Sequence, residues 1–332
     1  MSFKKIKNGL TEKGFLLTLL FSVLCLFYFF GKLLQHPNHV FFGATADGLQ
    51  GYYGALYHIK YDASYWRLDA MHYPYGDQVF FTACQPFLSD IIKFFNPFIN
   101  LYDYTIGIIN LVMLFSIVLS ALFLYLIFKH LRLPYLYAAV AATAIAFLSP
   151  QLDRLGGHYS LTYQFAIPLF LLLLLKFYRS PSLKKSFFIS FLVFFMMGTH
   201  FYIYAMLAIL GVFYFGMLYV LKDNAFANIK FSIKHFFIQI VLPFIVIEVI
   251  TICIDHVKDR TNFPYGFFAY KSKLAASLYR GGKFYNALID SIYDVQLGEW
   301  EGQSFIGIVS VLFVFFMLFI FFKRIFSKQF KN

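Results

Sequence analysis

Charge is scarce in this chain, and negative charge scarcest: 16 Asp and Glu stand against 28 Lys and Arg, and charged residues make up only 13% of 332. Beside 60% hydrophobic residues, so small a charged fraction excludes a water-soluble domain, because one core of this size cannot hide that much apolar surface. Cysteine is rarer still. Cys25, Cys84 and Cys253 are scattered, with two of them inside apolar runs, which excludes a disulfide framework and a paired-cysteine metal site. A nucleophile elbow, a Walker loop, a dinucleotide fingerprint and a His-Glu-x-x-His helix are all missing, so the familiar soluble-enzyme chemistries are disfavoured. With no long internal repeat, low-complexity linker or separable soluble domain, residues 1–332 read as a single transmembrane domain.

What the chain does have is long apolar runs. Stretches able to cross about 30 Å of hydrocarbon fall at 14–34, 105–128, 134–150, 161–178, 186–200, 202–221, 235–254 and 304–322. The expected fold is therefore an all-α polytopic membrane protein of about eight transmembrane helices. The fifth and sixth runs are short and lie back to back around Gly198, Thr199 and His200, as a hairpin would. A basic segment precedes the first run, as in a signal peptide, but no small-residue cleavage site follows, so a retained anchor is expected.

Lys and Arg clusters flank alternate ends of these runs: Lys4, Lys5, Lys7 and Lys13; Lys129 and Arg132; Arg179, Lys184 and Lys185; Lys222, Lys230 and Lys234; and Lys323, Arg324, Lys328 and Lys331. By the positive-inside rule they share the cytoplasmic side. This predicts a multi-pass protein of the cytoplasmic (inner) membrane with N- and C-termini both cytoplasmic. All the acids except Glu12, Asp223 and Glu248 then lie on the outer side, making that the chemically equipped face. The net charge of +12 reports this topology and an attraction to membrane lipids, not nucleic acid binding.

Two large extracytoplasmic loops result, a first outer loop at 35–103 and a second at 255–303. In the first, Phe87, Leu88, Ile91, Ile92, Phe94 and Phe95 follow Pro86 at helical spacing on a segment too short and too charged to span, which predicts an interfacial helix. A similar pattern runs from Phe267 to Leu278 in the second loop.

The chemistry-bearing residues gather in the outer loops and turns. Asp47 stands among Gly43, Gly48, Gly51 and Gly54, with Tyr52 and Tyr53 offering hydroxyls and flat faces of the kind on which sugars stack. It is either a general base or a ligand for a divalent cation, or else a solvated loop acid that caps a short helix. The His-Tyr-Pro-Tyr-Gly-Asp segment at 72–77 is a turn, from which Asp77 and Thr82 could line a polar pocket. Asp153, Arg154 and His158 crowd the connector 149–161, and His200 belongs to the same outer layer. These either serve a site or anchor a tight turn and hydrogen-bond at the interface. In the second loop, Arg260 and Lys271 are placed to clamp a lipid-linked phosphate or simply to meet anionic headgroups. Glu248, inside an apolar run, calls for a partner in the bundle interior.

This order of parts resembles the GT-C superfamily of integral membrane glycosyltransferases, which includes protein O-mannosyltransferases, aminoarabinose transferases and single-subunit oligosaccharyltransferases. The likeness lies in a cytoplasmic N-terminus, one span, a long outer loop with an Asp soon after it, a bundle of short-looped spans and a second large outer loop. It implies a truncated or minimal member that moves a sugar from a polyprenyl-phosphate-linked donor to an acceptor glycan, lipid or protein on the outer face, with inversion. By this resemblance Asp47 and Asp153 are the catalytic acids. Arg154, His158, His200, Arg260, Lys271, Tyr52 and Asp77 are expected to bind substrate or phosphate. A transporter, flippase or non-catalytic subunit for lipid-linked saccharides is the alternative.

Overall fold

The computed structural model describes residues 12–44, 46–222, 224–255, 257 and 308–329. It is mostly helical. Helix α1 (Lys13–Gln35) leads into an insertion that contains α2 (Ala46–Lys60), the two-residue strands β1 (Arg67–Leu68) and β2 (Asp77–Gln78), and α3 (Pro86–Ile99). A bundle follows: α4 (Thr105–His130), α5 (Tyr135–Phe147), α6 (Ala166–Arg179), α7 (Leu183–Thr199) and α8 (Phe201–Val220), then α9 (Ile229–Phe236), which runs through a π turn at Phe237–Val241 into α10 (Leu242–Ile254). Residues up to 257 form one compact unit; of a second unit the described part is the 22-residue helix α11 (Ile308–Gln329).

Among the described residues, six stretches are long and apolar enough to cross a membrane: Lys13–Gln35, Tyr102–His130, Tyr135–Gly156, Tyr159–Arg179, Phe201–Val220 and Ile229–Ile254. That is the make-up of a multi-pass membrane protein, and it matches six of the eight expected runs. The run at 186–200 is helical but short. Its 17 residues reach about 26 Å at about 1.5 Å per residue, below the roughly 30 Å of a hydrocarbon core. It meets α8 at a corner made by the single residue His200. The last expected run, 304–322, overlaps α11.

Small residues let the first helices approach closely: Ala121 on α4 and Ala138, Ala139, Ala142 and Ala146 on α5 are all buried. Phe170, Phe177, Phe215 and Phe226 fill a second centre between α6, α8 and the turn that follows it. Some of the polar side chains inside the bundle are satisfied locally. Thr18 donates to the Gly14 carbonyl at 2.8 Å, and the buried Ser186, His235 and Gln239 join α7 to α9 and the π turn through contacts of 2.8 and 2.9 Å. At one end of the bundle Glu12 pairs with Lys129, and Lys185 donates to the carbonyls of Lys176 and Ser180.

The insertion sits at the opposite end. Asn38 accepts from the Gly107 N–H at 2.9 Å, Asn110 donates to the Pro37 and Val40 carbonyls at 2.7 Å each, and Gln78 donates to the Thr251 carbonyl at 3.2 Å. Phe87 of α3 lies directly on Gly198 of α7, in space that any side chain there would take. Helix α3 is turned inside out: Asp90 and Lys93 point into the protein, whereas Phe94, Phe95 and Phe98 face outward, Phe98 to 77% exposure. The sequence predicts helix from Pro86, and the structure extends it to Ile99. The all-helical expectation needs one amendment. Arg67 pairs with Gln78 and Leu68 with Asp77, so the 72–77 turn closes a small antiparallel hairpin.

Candidate functional site

Asp47 stands in the first turn of α2. The segment that delivers it is pressed against the connector between α5 and α6 more closely than a Cβ would allow. A Cβ on Gly43 would lie 2.5 Å from the Gly156 oxygen, and one on Gly48 2.6 Å from the Gly43 oxygen and 2.8 Å from the Tyr159 hydroxyl. Tyr159 locks the joint by accepting from the Gly43 N–H at 2.9 Å and donating to the Gly43 carbonyl at 3.2 Å. From below, the Tyr52 hydroxyl accepts from the Phe42 N–H at 3.3 Å and donates to Asn110 of α4. A backbone joined at so many points fixes where the start of α2, with Asp47, meets the connector.

The result is an apposition of sequence-distant groups. His158 Nε2 lies 4.0 Å from Asp47 Oδ2, with Asp47 61% and His158 33% exposed. That distance is too long for a hydrogen bond and short enough for one water or one substrate hydroxyl to relay between them. His200 belongs to the same layer. Burial first, and then the neighbouring His158, hold its imidazole down to about 4, so at neutral pH it is an uncharged acceptor, taking the Tyr202 N–H on Nδ1 at 3.2 Å.

The other expected site residues divide. Asp153 and Arg154 lie in the 3₁₀ turn Pro150–Gly156, in the connector that carries His158, with Asp153 exposed and Arg154 half-buried. Tyr52 is corrected: its ring is 1% exposed and its hydroxyl is committed to Phe42 and Asn110, so it is a structural pin and not a surface for sugar; the exposed member of the pair is Tyr53. Asp77 is buried at β2, where it accepts from the Gln78 N–H at 2.7 Å and contacts His72 Nδ1 at 3.1 Å. It lines a cavity of about 260 Å³ that Asp47 does not line. Arg260 and Lys271 lie outside the described residues. No three His, Cys, Asp or Glu converge to hold a metal ion among the described residues. Asp47 with His158 alone does not make a cation cage.

One constellation escapes the sequence reading. His58, in the last turn of α2 and fully buried, places Nδ1 2.7 Å from Asp62 and Nε2 3.0 Å from Asp90 of α3. Lys93 completes it by donating to the Ser64 carbonyl at 2.5 Å, and Asp62 also accepts from the Asp69 N–H at 3.1 Å. Two ionised carboxylates can both accept from one ring only if both nitrogens carry protons. Burial lowers the basicity of His58, but the hydrogen bonds to Asp62 and Asp90 outweigh it and the net shift is upward. Burial raises the Asp90 carboxyl, against the pull of His58, and lowers Lys93. Through the His58–Asp90 contact α2 is fastened to α3. Cys84, close behind, has its thiol pushed up to about 12 by burial, which leaves it protonated and unreactive. The one local sign of the network was the spacing of His58 and Asp62, four residues apart, with Asp62 just beyond the end of α2.

The helices and the folded insertion define the class, a polytopic α-helical membrane protein with an ordered segment at one end of its bundle. A family model described as a domain of unknown function, DUF6311, matches residues 18–332, and the chain belongs to that family. No curated protein and no solved structure matches it.

Proposed function

We propose that this chain is a membrane glycosyltransferase that moves a sugar from a polyprenyl-phosphate donor to a hydroxyl acceptor, with inversion. The reaction takes place at the outer face of the cytoplasmic membrane, and both termini are cytoplasmic. The insertion then stands on the outer side, with the outward phenylalanines of α3 in the interface. The observation that carries the reading is Asp47, fixed by glycine-tight packing and held 4.0 Å from His158.

In the step, the Asp47 carboxylate takes the proton of the acceptor hydroxyl as its oxygen attacks the anomeric carbon. The bond from that carbon to the phosphate oxygen breaks, and the electron pair leaves with the polyprenyl phosphate. His158, one relay away, receives or shares the proton, so its place is beside the base. Arg154, in the same connector, meets the charge that grows on the leaving phosphate. Asp153, in the connector that carries His158, supports Asp47 as the second acid.

The test uses membranes that hold the native chain or Asp47→Asn, incubated with labelled polyprenyl-phosphate sugars. Native membranes are expected to yield a labelled acceptor, and the variant roughly a hundredfold less or below, the usual cost of losing a general base. Equal labelling by the two would remove the mechanism. Movement of the lipid-linked saccharide without transfer is the second reading, favoured by one observation: Ser186, His235 and Gln239 form a buried polar group inside the bundle. Passage of label across sealed vesicles without acceptor labelling would select it.

A further inference from the structure

Helices α8 and α9 diverge at the end of the bundle away from the insertion. Helix α7 runs between the two ends: its Gly198 lies under Phe87 of the insertion, and its Ser186 contacts His235 of α9 at 2.8 Å. On α8, a Cβ at Gly211 would come within 3.1 Å of Ile240 in the π turn, so the two elements are in contact there. Gly216 stands about 7.5 Å further along the helix, at about 1.5 Å per residue. A Cβ there would meet nothing within 4 Å. The space left is a groove of about 200 Å³, walled by Val212, Gly216 and Tyr219 of α8 and by Ile229, Ile233 and Phe236 of α9.

Those walls select hydrocarbon. Ser232, which also lines the groove, already donates its hydroxyl to the Phe226 carbonyl at 2.9 Å. Helix α8 and the stretch that α9 opens are both long and apolar enough to cross a membrane, which sets the groove against lipid. An apolar gap does not hold water, so there it takes a chain of methylenes. Val212, Ile229 and Ile233 are exposed in the protein alone, and a lipid chain covers them.

The mouth of the groove is basic. Lys222 lies just past the end of α8, its N–H donating to the Tyr219 carbonyl at 3.0 Å. Lys230 and Lys234 each follow a lining residue, Ile229 and Ile233, and all three lysines are exposed. In sequence, residues 221–236 set these three lysines against one acid, Asp223. Lys230 and Lys234 stand one turn apart on one helix face, where like charges repel; an anion between them turns that repulsion into attraction. Tyr219, with an apolar ring and a polar tip, suits the boundary between chain and headgroup. We infer that the groove between α8 and α9 binds one anionic phospholipid, with an acyl chain along Gly216 and the phosphate between Lys230 and Lys234. A zwitterionic headgroup brings its own cation to the lysines and is disfavoured. The inference rests neither on sugar transfer nor on which side of the membrane this end faces.

The full chain, purified in detergent, is titrated with phosphatidylglycerol and with phosphatidylcholine of the same acyl chains, and bound lipid is counted by native mass spectrometry. One phosphatidylglycerol per chain is expected to bind about tenfold or more tightly than phosphatidylcholine. Lys230→Gln combined with Lys234→Gln should remove that preference. Lys13→Gln combined with Lys184→Gln, at lysines outside the groove, should keep it. Gly216→Phe, which places a ring in the open space, should lose the tight site for both lipids. Equal loss of preference in the two lysine pairs would reveal a diffuse attraction and overturn the inference. Tight phosphatidylglycerol binding that survives Gly216→Phe overturns it too, as does a dimer that binds no lipid and that Gly216→Phe dissociates, since a second copy of the chain then fills the groove.

Discussion

Helix α2 carries a titratable group at each end, and the two are built in opposite ways. Asp47, in the first turn, is exposed on a floor moulded by glycines and faces His158 across a gap. His58, in the last turn, is sealed from solvent with a carboxylate at each ring nitrogen. A group meant to meet substrate keeps its coordination open; a group that fastens two helices fills it. Removing the first is therefore expected to alter chemistry and spare stability, and removing the second to do the reverse.

The largest effect on stability falls on the sealed cluster. His58→Ala leaves Asp62 and Asp90 buried without their cation, at a cost of about 3–5 kcal/mol, seen as a drop in Tm on thermal unfolding in detergent. An unchanged Tm would erase the contrast between the two ends of α2. Next comes Gly48→Ala. Its Cβ would meet the backbone oxygen of Gly43, which cannot swing aside. Overpacking of this kind costs about 1–3 kcal/mol, and transfer should fall as well because Asp47 is displaced.

The pH dependence sharpens the comparison, because His58 and His200 titrate in opposite directions. His58 has a raised pKa in the fold. Its contribution is complete below the unfolded value of about 6.5 and is lost as pH rises through the higher folded value. His200 is depressed to about 4, so its contribution is present above about 6.5 and fades as pH falls toward the folded value. A Tm profile against pH should lose part of its acid limb in His200→Gln and keep its alkaline one. Loss of the alkaline limb instead would show that the assignment of the two histidines is reversed.

The bundle was legible because length and apolar continuity are local properties. Six runs appear as long helices, and the short one at 186–200 was flagged by its own length. The turn at 72–77, the helix from Pro86 and the cluster of glycines around Asp47 were likewise written in adjacent residues. Tyr52 misled, because an aromatic beside a candidate acid looks the same whether it faces outward or, as here, is buried at 1% exposure. Asp90 is 32 residues from His58, and nothing local announces their contact. The folding back of α3 with its charges inward creates the pair. The approach of His158 to Asp47 has the same character: the sequence marked both residues as candidates, but placed His158 among phosphate binders, and only tertiary packing sets it beside the carboxylate.

The smallest expected change in stability belongs to the substitution with the largest expected change in chemistry. Asp47→Asn, purified beside the native chain, is assayed with labelled polyprenyl-phosphate sugars and melted in the same detergent. Transfer should disappear while stability stays within about 0.5 kcal/mol of native, as for an exposed surface position. A variant that still transfers at the native rate, or that melts as early as His58→Ala, would contradict the assignment of Asp47 as the base.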